Sequence, residues 1–261
     1  MTLKPEVTAF YEARTGSVQY VVADLAMKKC AIIDPVLDYD EKSGATATIE
    51  ADRILKFLEG NGYEIEWILD THPHADHIHG IDDVRQLVFN SGQMMPVWAD
   101  EPTATALRER FGYIFETPPG SHYPPVCALN RIEGEIRITG AGGLIRLDPF
   151  EVVHGNIPAL GFRIRGEGSG GLVYLPDVSA IPPEAWSLIL GAEVFICDAL
   201  RRTPHPSHAH LARTLDWFAR AGTPRCVITN MHLDMDHDQV MADTPDNVVP
   251  AHDGMVIEVA A

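Results

Sequence analysis

The stretch THPHADHIHG, residues 71–80, concentrates metal-ligating side chains in one short segment. The candidate ligands in it are His72, His74, Asp76, His77 and His79. Placing so many imidazoles and a carboxylate together without a metal would be costly, so the pattern favours a metal site over five separate structural roles. The run IEWIL, residues 65–69, predicts a buried strand just before the cluster. The cluster therefore lies past the carboxyl end of a strand, where α/β folds place their chemistry.

Length and charge limit the classes of function. The chain has 261 residues, of which 46% are hydrophobic and 22% are charged, and it shows no linker, so we expect a single globular domain over residues 1–261. Its formal net charge of -17 repels nucleic acid polymers and anionic membranes. A small anionic substrate stays compatible with this charge if a metal supplies local positive charge.

The cysteines and the apolar runs predict a reduced, cytoplasmic protein. Cys30, Cys127, Cys197 and Cys226 form no Cys-x-x-Cys pair, which argues against a cysteine-based zinc site. Three of them sit in apolar runs and are expected to be core thiols. No signal-peptide pattern opens the chain, and no apolar run approaches 18 residues. We expect a small-molecule partner and leave a homodimer open.

The pattern of apolar residues predicts strands and helices in alternation. Residues 17–24 and 28–35 predict a hairpin, and residues 49–62 predict a helix that stops at Gly60. Residues 81–92 predict a helix ended by Gly92, and residues 116–130 an irregular loop. Strands dominate after Arg131, with GEGSGG (166–171) as a hairpin turn, and two β/α units follow. The expected architecture is two mixed sheets with outer helices.

The cluster THPHADH (71–77) is a complete match to the Thr-His-x-His-x-Asp-His signature and resembles the metallo-β-lactamase superfamily. This resemblance implies a four-layer αββα sandwich, which agrees with the two-sheet prediction. It also implies three distant ligands, and a candidate for each follows a predicted strand. These are His154 in EVVHGN, Asp177 in VYLPDVS and His232 in VITNMH.

The resemblance implies two metal sites that share one carboxylate. Site one would consist of His72, His74, His154 and Asp177. Site two would consist of Asp76, His77, His232 and Asp177, with Asp76 counted also as a catalytic residue. Two metals about 3.5–4 Å apart suit hydrolysis by a bridging hydroxide. The ligands suit zinc, manganese or iron. His79 is left over, as an outer hydrogen-bonding partner or a solvent-exposed residue.

Two branches of the superfamily are represented in different parts of the chain. Residues 5 to about 77 look like persulfide dioxygenases and glyoxalase II proteins, with PEVTAFYEARTGSVQYVVAD as the opening stretch. Residues from about 68 to 258 look like phosphoribosyl 1,2-cyclic phosphate phosphodiesterases, with FGYIFETPPGSHYPP, YLPDVSAIP and TNMHLDMD among the similar stretches. The chain therefore resembles a mosaic, natural or engineered, with a change near residues 68–77.

Metal chemistry decides between the two branches at this stage. The dioxygenase resemblance implies one iron held by His72, His154 and Asp177, with no need for His232. Because His232 is present, we favour two metals and hydrolysis. The predicted activity is a phosphodiesterase acting on a small cyclic or nucleotide-like phosphate. The alternatives are a mononuclear iron persulfide dioxygenase and a thioester hydrolase of the glyoxalase II kind.

The segment HPSHAHLARTL, residues 205–215, provides a candidate proton donor. Cleavage of a phosphodiester needs a proton for the leaving alkoxide. In the phosphodiesterase group a histidine of this segment is the candidate, and His208 matches it. The alternative is that His205, His208 and His210 only open a surface helix.

Two arginines are candidate phosphate ligands. Arg201 in DALRR could clamp a phosphate with two hydrogen bonds, or it could form a structural ion pair with Asp198. Arg85 in IDDVR is a weaker candidate, because its spacing from Asp82 is also typical of a solvated pair on a helix.

Overall fold

The computed structural model describes residues 5–12, 18–35, 38–39, 46–69, 71, 78–85, 88–89, 92–140 and 143–259. The predicted ligands His72, His74, Asp76 and His77 lie outside the described residues. No helix of the described part is long and apolar enough to cross a membrane.

The strands of the described part are numbered in chain order. They are β1 (Pro5–Tyr11), β2 (Val18–Asp24), β3 (Lys29–Ile33), β4 (Asp38–Tyr39), β5 (Thr46–Ala47), β6 (Glu64–Leu69), β7 (Met95–Ala99), β8 (Cys127–Arg131), β9 (Ile136–Gly140), β10 (Gly143–His154), β11 (Ile157–Arg165), β12 (Leu172–Leu175), β13 (Val194–Asp198), β14 (Arg225–Thr229), β15 (Val248–Pro250) and β16 (Val256–Glu258).

The helices are fewer and lie between the strands. They are α1 (Ile49–Asn61), α2 (Glu101–Phe115), α3 (Trp186–Ile189), α4 (Leu211–Ala221) and α5 (His237–Asp243). Short 3-10 helices cover His79–Val84 and Pro183–Ala185.

Two large sheets contain most of the strands. One has the order β16-β1-β2-β3-β6-β7-β8, and the other has the order β15-β14-β13-β12-β11-β10-β9. Both are mixed. In the first, β3, β6, β7 and β8 pair in parallel, while β1 and β16 pair in antiparallel fashion. In the second, β12 to β15 pair in parallel, while β9 to β12 pair in antiparallel fashion. The antiparallel pairing of β11 with β12 confirms the hairpin predicted around GEGSGG.

The chain forms two compact units. One comprises Met1–Ala9, Asp24–Met27 and Gly134–Ala261, and the other comprises Phe10–Ala23 and Lys28–Glu133. The organisation as a single domain stays a prediction.

The unit that contains Gly134–Ala261 has an apolar core, and its central strands are buried along their whole length. Every residue of β12 and β13 is buried, as parallel strands covered on both faces require. Trp186 and Ile189 of α3 and Phe218 of α4 belong to the same apolar cluster as Val173 and Phe195. These helices therefore cover one face of the sheet and hold its strand ends in place.

Gly62 and Gly92 both have the left-handed backbone conformation, and Gly62 caps the end of α1. The prediction that α1 stops at Gly60 was wrong. The helix continues to Asn61, and its C-cap is Gly62, with φ 66°. The Tyr63 N–H donates to the Leu58 carbonyl at 2.9 Å, which satisfies an end carbonyl of the helix. Gly92, with φ 68°, donates to the Val88 carbonyl, as expected of a helix end.

The interpretation of residues 116–130 as one irregular loop was partly wrong. Its last residues belong to β8, which pairs in parallel with β7 over Met95 to Ala99. The apolar stretch was short and followed several prolines, so the local pattern concealed a strand that only its neighbour stabilises. Strands β1 and β15 and helix α5 were also not predicted from the sequence.

The four cysteines are buried free thiols, which confirms the core assignment of Cys30, Cys197 and Cys226. Burial raises the pKa of the Cys30 and Cys226 thiols to about 12, so neither is a thiolate at neutral pH.

A buried aspartate anchors the residue that precedes the histidine cluster. Asp34 follows β3 with φ 51° and is fully buried. Its carboxylate accepts hydrogen bonds from the Thr71 N–H at 2.7 Å and from the Thr71 hydroxyl at 2.9 Å. The main chain that leads into the predicted ligands is therefore held at its first residue.

Candidate metal centre

In the sheet β15-β14-β13-β12-β11-β10-β9, the direction of the strands brings several polar residues at strand ends to the same edge. Strands β10 and β12 both run antiparallel to β11, so they point the same way, and β13 and β14 run parallel to β12. His154 ends β10, Asp177 follows β12, Asp198 ends β13 and Asn230 follows β14. Because these strands share a direction, all four side chains start from the same edge.

Two of these side chains, together with His208 from the segment after β13, form a group that could hold a metal ion. His154, Asp177 and His208 each offer one ligand atom, and these atoms lie within 4.8 Å of one another. His154 and Asp177 are buried, and the His208 side chain is only 16% exposed. The structure thus brings together two predicted ligands and the predicted proton donor.

The ring of His154 is oriented by the loop that precedes α4. Its Nδ1 lies 2.7 Å from the carbonyl oxygen of Ser207. Since a carbonyl can only accept, Nδ1 carries the proton and Nε2 keeps the lone pair that can bind a metal. A ligand histidine held through its other ring nitrogen is the usual arrangement in metal sites.

Asp198 orients His208. The His208 Nδ1 lies 2.8 Å from Asp198 Oδ2 and 3.7 Å from Asp177 Oδ1. The same Oδ2 accepts from the backbone N–H groups of Val178 at 3.3 Å and Ala209 at 3.4 Å. An oxygen that accepts two N–H groups is an acceptor for the ring too, so His208 donates from Nδ1. Any proton that the ring exchanges with a substrate would therefore pass through Nε2.

Burial and backbone hydrogen bonds act in opposite directions on the pKa of Asp198. Burial raises the pKa of its carboxyl well above the usual range, and the backbone N–H groups that point at it oppose that shift. Its Oδ1 is buried without a hydrogen-bond partner among the described residues. Thr214 of α4 donates to the Asp198 carbonyl at 2.6 Å and so fixes the main chain beneath the pair.

The structure replaces the predicted pair of Asp198 and Arg201 with a different arrangement. Arg201 donates to the carbonyls of Thr203 at 3.2 Å and Pro204 at 2.6 Å, inside its own loop. The Asp198 carboxylate is engaged by His208 instead. The ion-pair interpretation was wrong because the loop turns the arginine back on itself. Phosphate binding by Arg201 stays a prediction.

Sequence reasoning missed Asn230. This residue has φ 59° directly after β14, and its side-chain amide donates to Asp177 Oδ1 at 3.2 Å and to the Pro176 carbonyl at 3.3 Å. An asparagine after a buried apolar strand was the available signal, since Asn tolerates the left-handed conformation. It positions the carboxylate predicted to bridge the two metals.

His232 does not join the group of three. Its side chain is 60% exposed, and its Nδ1 lies 3.2 Å from Asp234 Oδ1. Its backbone N–H donates to the Leu200 carbonyl at 2.8 Å, which ties it to the residues after β13. Its role as a ligand of the second metal stays a prediction.

The remaining predicted residues lie near the 3-10 helix at His79–Val84. His79 is half-buried, with its ring 5.4 Å from the Phe111 ring in an edge-to-face contact. Arg85 is half-buried after this helix, and the side chain of Asp82, its suggested partner, lies outside the described residues. Phosphate binding by Arg85 stays a prediction.

The donor set fits a divalent metal. Within the group of three, His154 and Asp177 are the predicted ligands, and an imidazole together with a carboxylate is a combination that zinc, manganese and iron accept. The structure also contains the outer hydrogen bonds that such ligands need, from His154 to the Ser207 carbonyl and from Asn230 to Asp177. These contacts restrict each ligand to one orientation.

Gly155→Ala is expected to weaken metal binding. A Cβ at Gly155 would lie 2.8 Å from Ser207 Cβ, so the loop would have to move and the hydrogen bond from His154 to Ser207 would be disturbed. We expect metal affinity to fall by about 10- to 100-fold, the typical effect of losing an outer partner. Metal titration followed by calorimetry measures this.

Gly222→Ala is the matched control for that prediction. Gly222 has φ 61° against 60° at Gly155, but nothing lies within 4 Å of its Cβ position. Both variants should lose about 1–2 kcal/mol of stability from the left-handed backbone. Equal metal affinity in the two variants would contradict a role for the contact between Gly155 and Ser207.

Comparison with known proteins places the chain in a family. The beta-lactamase superfamily domain matches residues 31–231. The chain belongs to this superfamily. A crystal structure described as a new diphosphatase from the PhnP family covers 97% of both chains with a TM-score of 0.76 and 24% identity. This confirms the metallo-β-lactamase fold predicted from the sequence.

Two curated relatives of this superfamily protein match over very different lengths. A beta-lactamase hydrolase-like protein of Xylella fastidiosa (strain Temecula1) is 61% identical over 82 residues, which are 31% of this chain and 19% of that protein. An octanoyltransferase of Porphyromonas gingivalis (strain W83) is 26% identical over 195 residues, 73% of this chain and 37% of that protein. The chain therefore spans only a minor part of each of these two relatives. The mosaic organisation of the chain stays a prediction.

Proposed function

We propose that this protein is a dinuclear metal-dependent phosphodiesterase that acts on a small cyclic or nucleotide-like phosphate. The observation that carries the proposal is the group of His154, Asp177 and His208 with Asp198 behind it. Two metal ligands and an oriented histidine at one sheet edge suit hydrolysis that ends in proton transfer to a leaving group.

The residues have separate roles in this proposal. His154 and Asp177 hold metal, together with the ligands His72, His74, Asp76, His77 and His232 that the sequence predicts. Bound metal ions would supply Lewis acidity and an activated water. His208 gives a proton from Nε2 to the departing alkoxide, while the bond from Nδ1 to Asp198 fixes the ring and its tautomer. Asp198 stabilises the ring when it is protonated.

The comparisons support the coarse class of this proposal. Membership of the beta-lactamase superfamily supports a metal-dependent hydrolase. One structural neighbour is described as a diphosphatase. Cleavage of a diphosphate is a phosphoryl reaction, as is the cleavage of a phosphodiester proposed here. The Asp198–His208 pair favours hydrolysis over a mononuclear iron oxygenase, because oxygen chemistry at one iron has no need of this proton donor.

Metal analysis is the first test. Protein purified without added metal should contain close to two divalent ions per chain, since the predicted ligand sets share Asp177 and each is complete. Elemental analysis by mass spectrometry gives the count. One iron per chain, with no second ion taken up from excess metal, would refute the dinuclear proposal and favour the persulfide dioxygenase.

Substrate class is the second test. A bis-aryl phosphodiester should be hydrolysed, and activity should disappear with a chelator and return with added metal. The parallel assays are sulfite release from glutathione persulfide and hydrolysis of a glutathione thioester. Turnover in either of these, with no cleavage of the phosphodiester, would contradict the proposed function.

A further inference from the structure

A row of three arginines crosses the sheet far from the metal centre. Arg137 on β9 pairs directly with Arg146 on β10, and Arg146 pairs directly with Arg165 on β11. Directly opposed residues of antiparallel strands project from the same face, and like charges in such positions destabilise a sheet. A sheet that keeps three guanidinium groups in register needs negative charge beside them.

The carboxylates of this face neutralise the row only in part. Glu135 is shared between Arg137 and Arg146, and Asp148 pairs with Arg165. Arg163, two residues before Arg165, uses its guanidinium on the main-chain carbonyls of Leu188, Leu190, Gly170 and Gly191. The three guanidinium groups of the row therefore share two paired carboxylates, within a chain whose net charge is -17.

A cavity of about 270 Å³ opens beside two of these arginines. It is lined by Arg146, Arg165 and the turn of residues 166–169. Arg146 uses one nitrogen on Glu135 and Arg165 uses one on Asp148, so each guanidinium has further N–H donors. The Arg165 Nε is buried and has no hydrogen-bond partner among the described residues.

We propose that this cavity binds a small phosphate-type oxyanion between Arg146 and Arg165. Guanidinium groups bind tetrahedral oxyanions through paired N–H donors, and the cavity is large enough for one such group. Its small size and the negative charge of the chain favour a free phosphate compound over a nucleic acid or a membrane. The exposed Glu167 on the turn limits how much negative charge the cavity accepts.

This site is distinct from the metal centre. Arg146 and His154 lie on the same strand, eight residues apart, which at about 3.4 Å per residue places them about 27 Å from each other. No metal ligand takes part, so the proposal stands whether or not the protein is a phosphodiesterase.

The test is a phosphate titration of metal-loaded protein with ¹⁵N-labelled arginine, followed by NMR at constant ionic strength set with chloride. Inorganic phosphate should shift the Nε–H signals of Arg146 and Arg165 in a saturable way. Arg146→Gln should weaken the apparent affinity by about tenfold, the typical value of one charged hydrogen bond. Arg165→Lys, which keeps the charge but loses the forked geometry, should also weaken it.

Arg202→Gln is the matched control. Arg202 pairs with Asp243, and its side chain is 37% exposed against 39% for Arg146, so the variant removes the same charge from a similar setting. Its affinity for phosphate at the cavity should equal that of the wild type. Equal affinity in Arg146→Gln and Arg202→Gln, or shifts with phosphate no larger than with chloride, would overturn the proposal. Thermal unfolding of each variant shows that the comparison is made on folded protein.

Discussion

Asp177→Ala is expected to remove most of the bound metal and to lower phosphodiester turnover by about 10³-fold, because metal ions supply several kcal/mol of charge stabilisation in the transition state. Asp177 lies within 4.8 Å of the ligand atoms of His154 and His208, and Asn230 holds its Oδ1. It is also the carboxylate predicted to serve both metals. Metal content after gel filtration and the rate on a bis-aryl phosphodiester measure the two effects.

Asp24→Ala is the control for this prediction. Asp24 is another largely buried carboxylate, but it accepts from the backbone N–H groups of Ala26 and Met27 in a turn. This variant should lose stability and keep its metals. If Asp177→Ala retained two metals per chain, the carboxylate would not be a shared ligand and the proposed centre would be refuted.

His208→Ala is expected to keep its metals and to lose about 10²- to 10⁴-fold in rate on a substrate with an alkyl leaving group, the usual contribution of a general acid. A nitrophenolate leaves without needing a proton, so the loss on an aryl substrate should be about tenfold or less. The expectation depends on the bond of 2.8 Å from His208 Nδ1 to Asp198, which assigns the proton transfer to Nε2. Rates on the two substrates and metal content of the same variant measure it.

His210→Ala tests whether the rate losses of His208→Ala come from the chemistry of His208 or would follow from replacing any histidine of this loop. His210 is the residue before α4 and bridges to Arg201, without a side-chain bond to the helix end. Its replacement should change both rates little and equally. Equal losses on the two substrates in His208→Ala would mean that His208 positions the substrate, and loss of metal would mean that it is a ligand.

Much of the fold could be predicted because its signals are local. The apolar runs that became β12, β13 and β14 and the period of α4 are properties of a few neighbouring residues. Short edge elements such as β15 and helix α5 were missed, because their apolar content is small and their partners are distant in the chain. The sequence predicted a stop of α1 at Gly60, and the backbone conformation places the cap at Gly62 instead.

The sequence by itself determined the superfamily, and it singled out His154 and Asp177 as candidate metal ligands, because each lies at the end of a recognisable strand. Tertiary structure alone decided what surrounds them. The bond from His208 to Asp198 and the bond from His154 to Ser207 depend on the path of residues 199–210. This path returns to β13 through the hydrogen bond from the Leu200 N–H to the Ala209 carbonyl. Asn230 reaches Asp177 because β14 and β12 run in the same direction on either side of β13. These contacts join residues up to 53 positions apart, and no local pattern of apolar and polar residues encodes such a pairing.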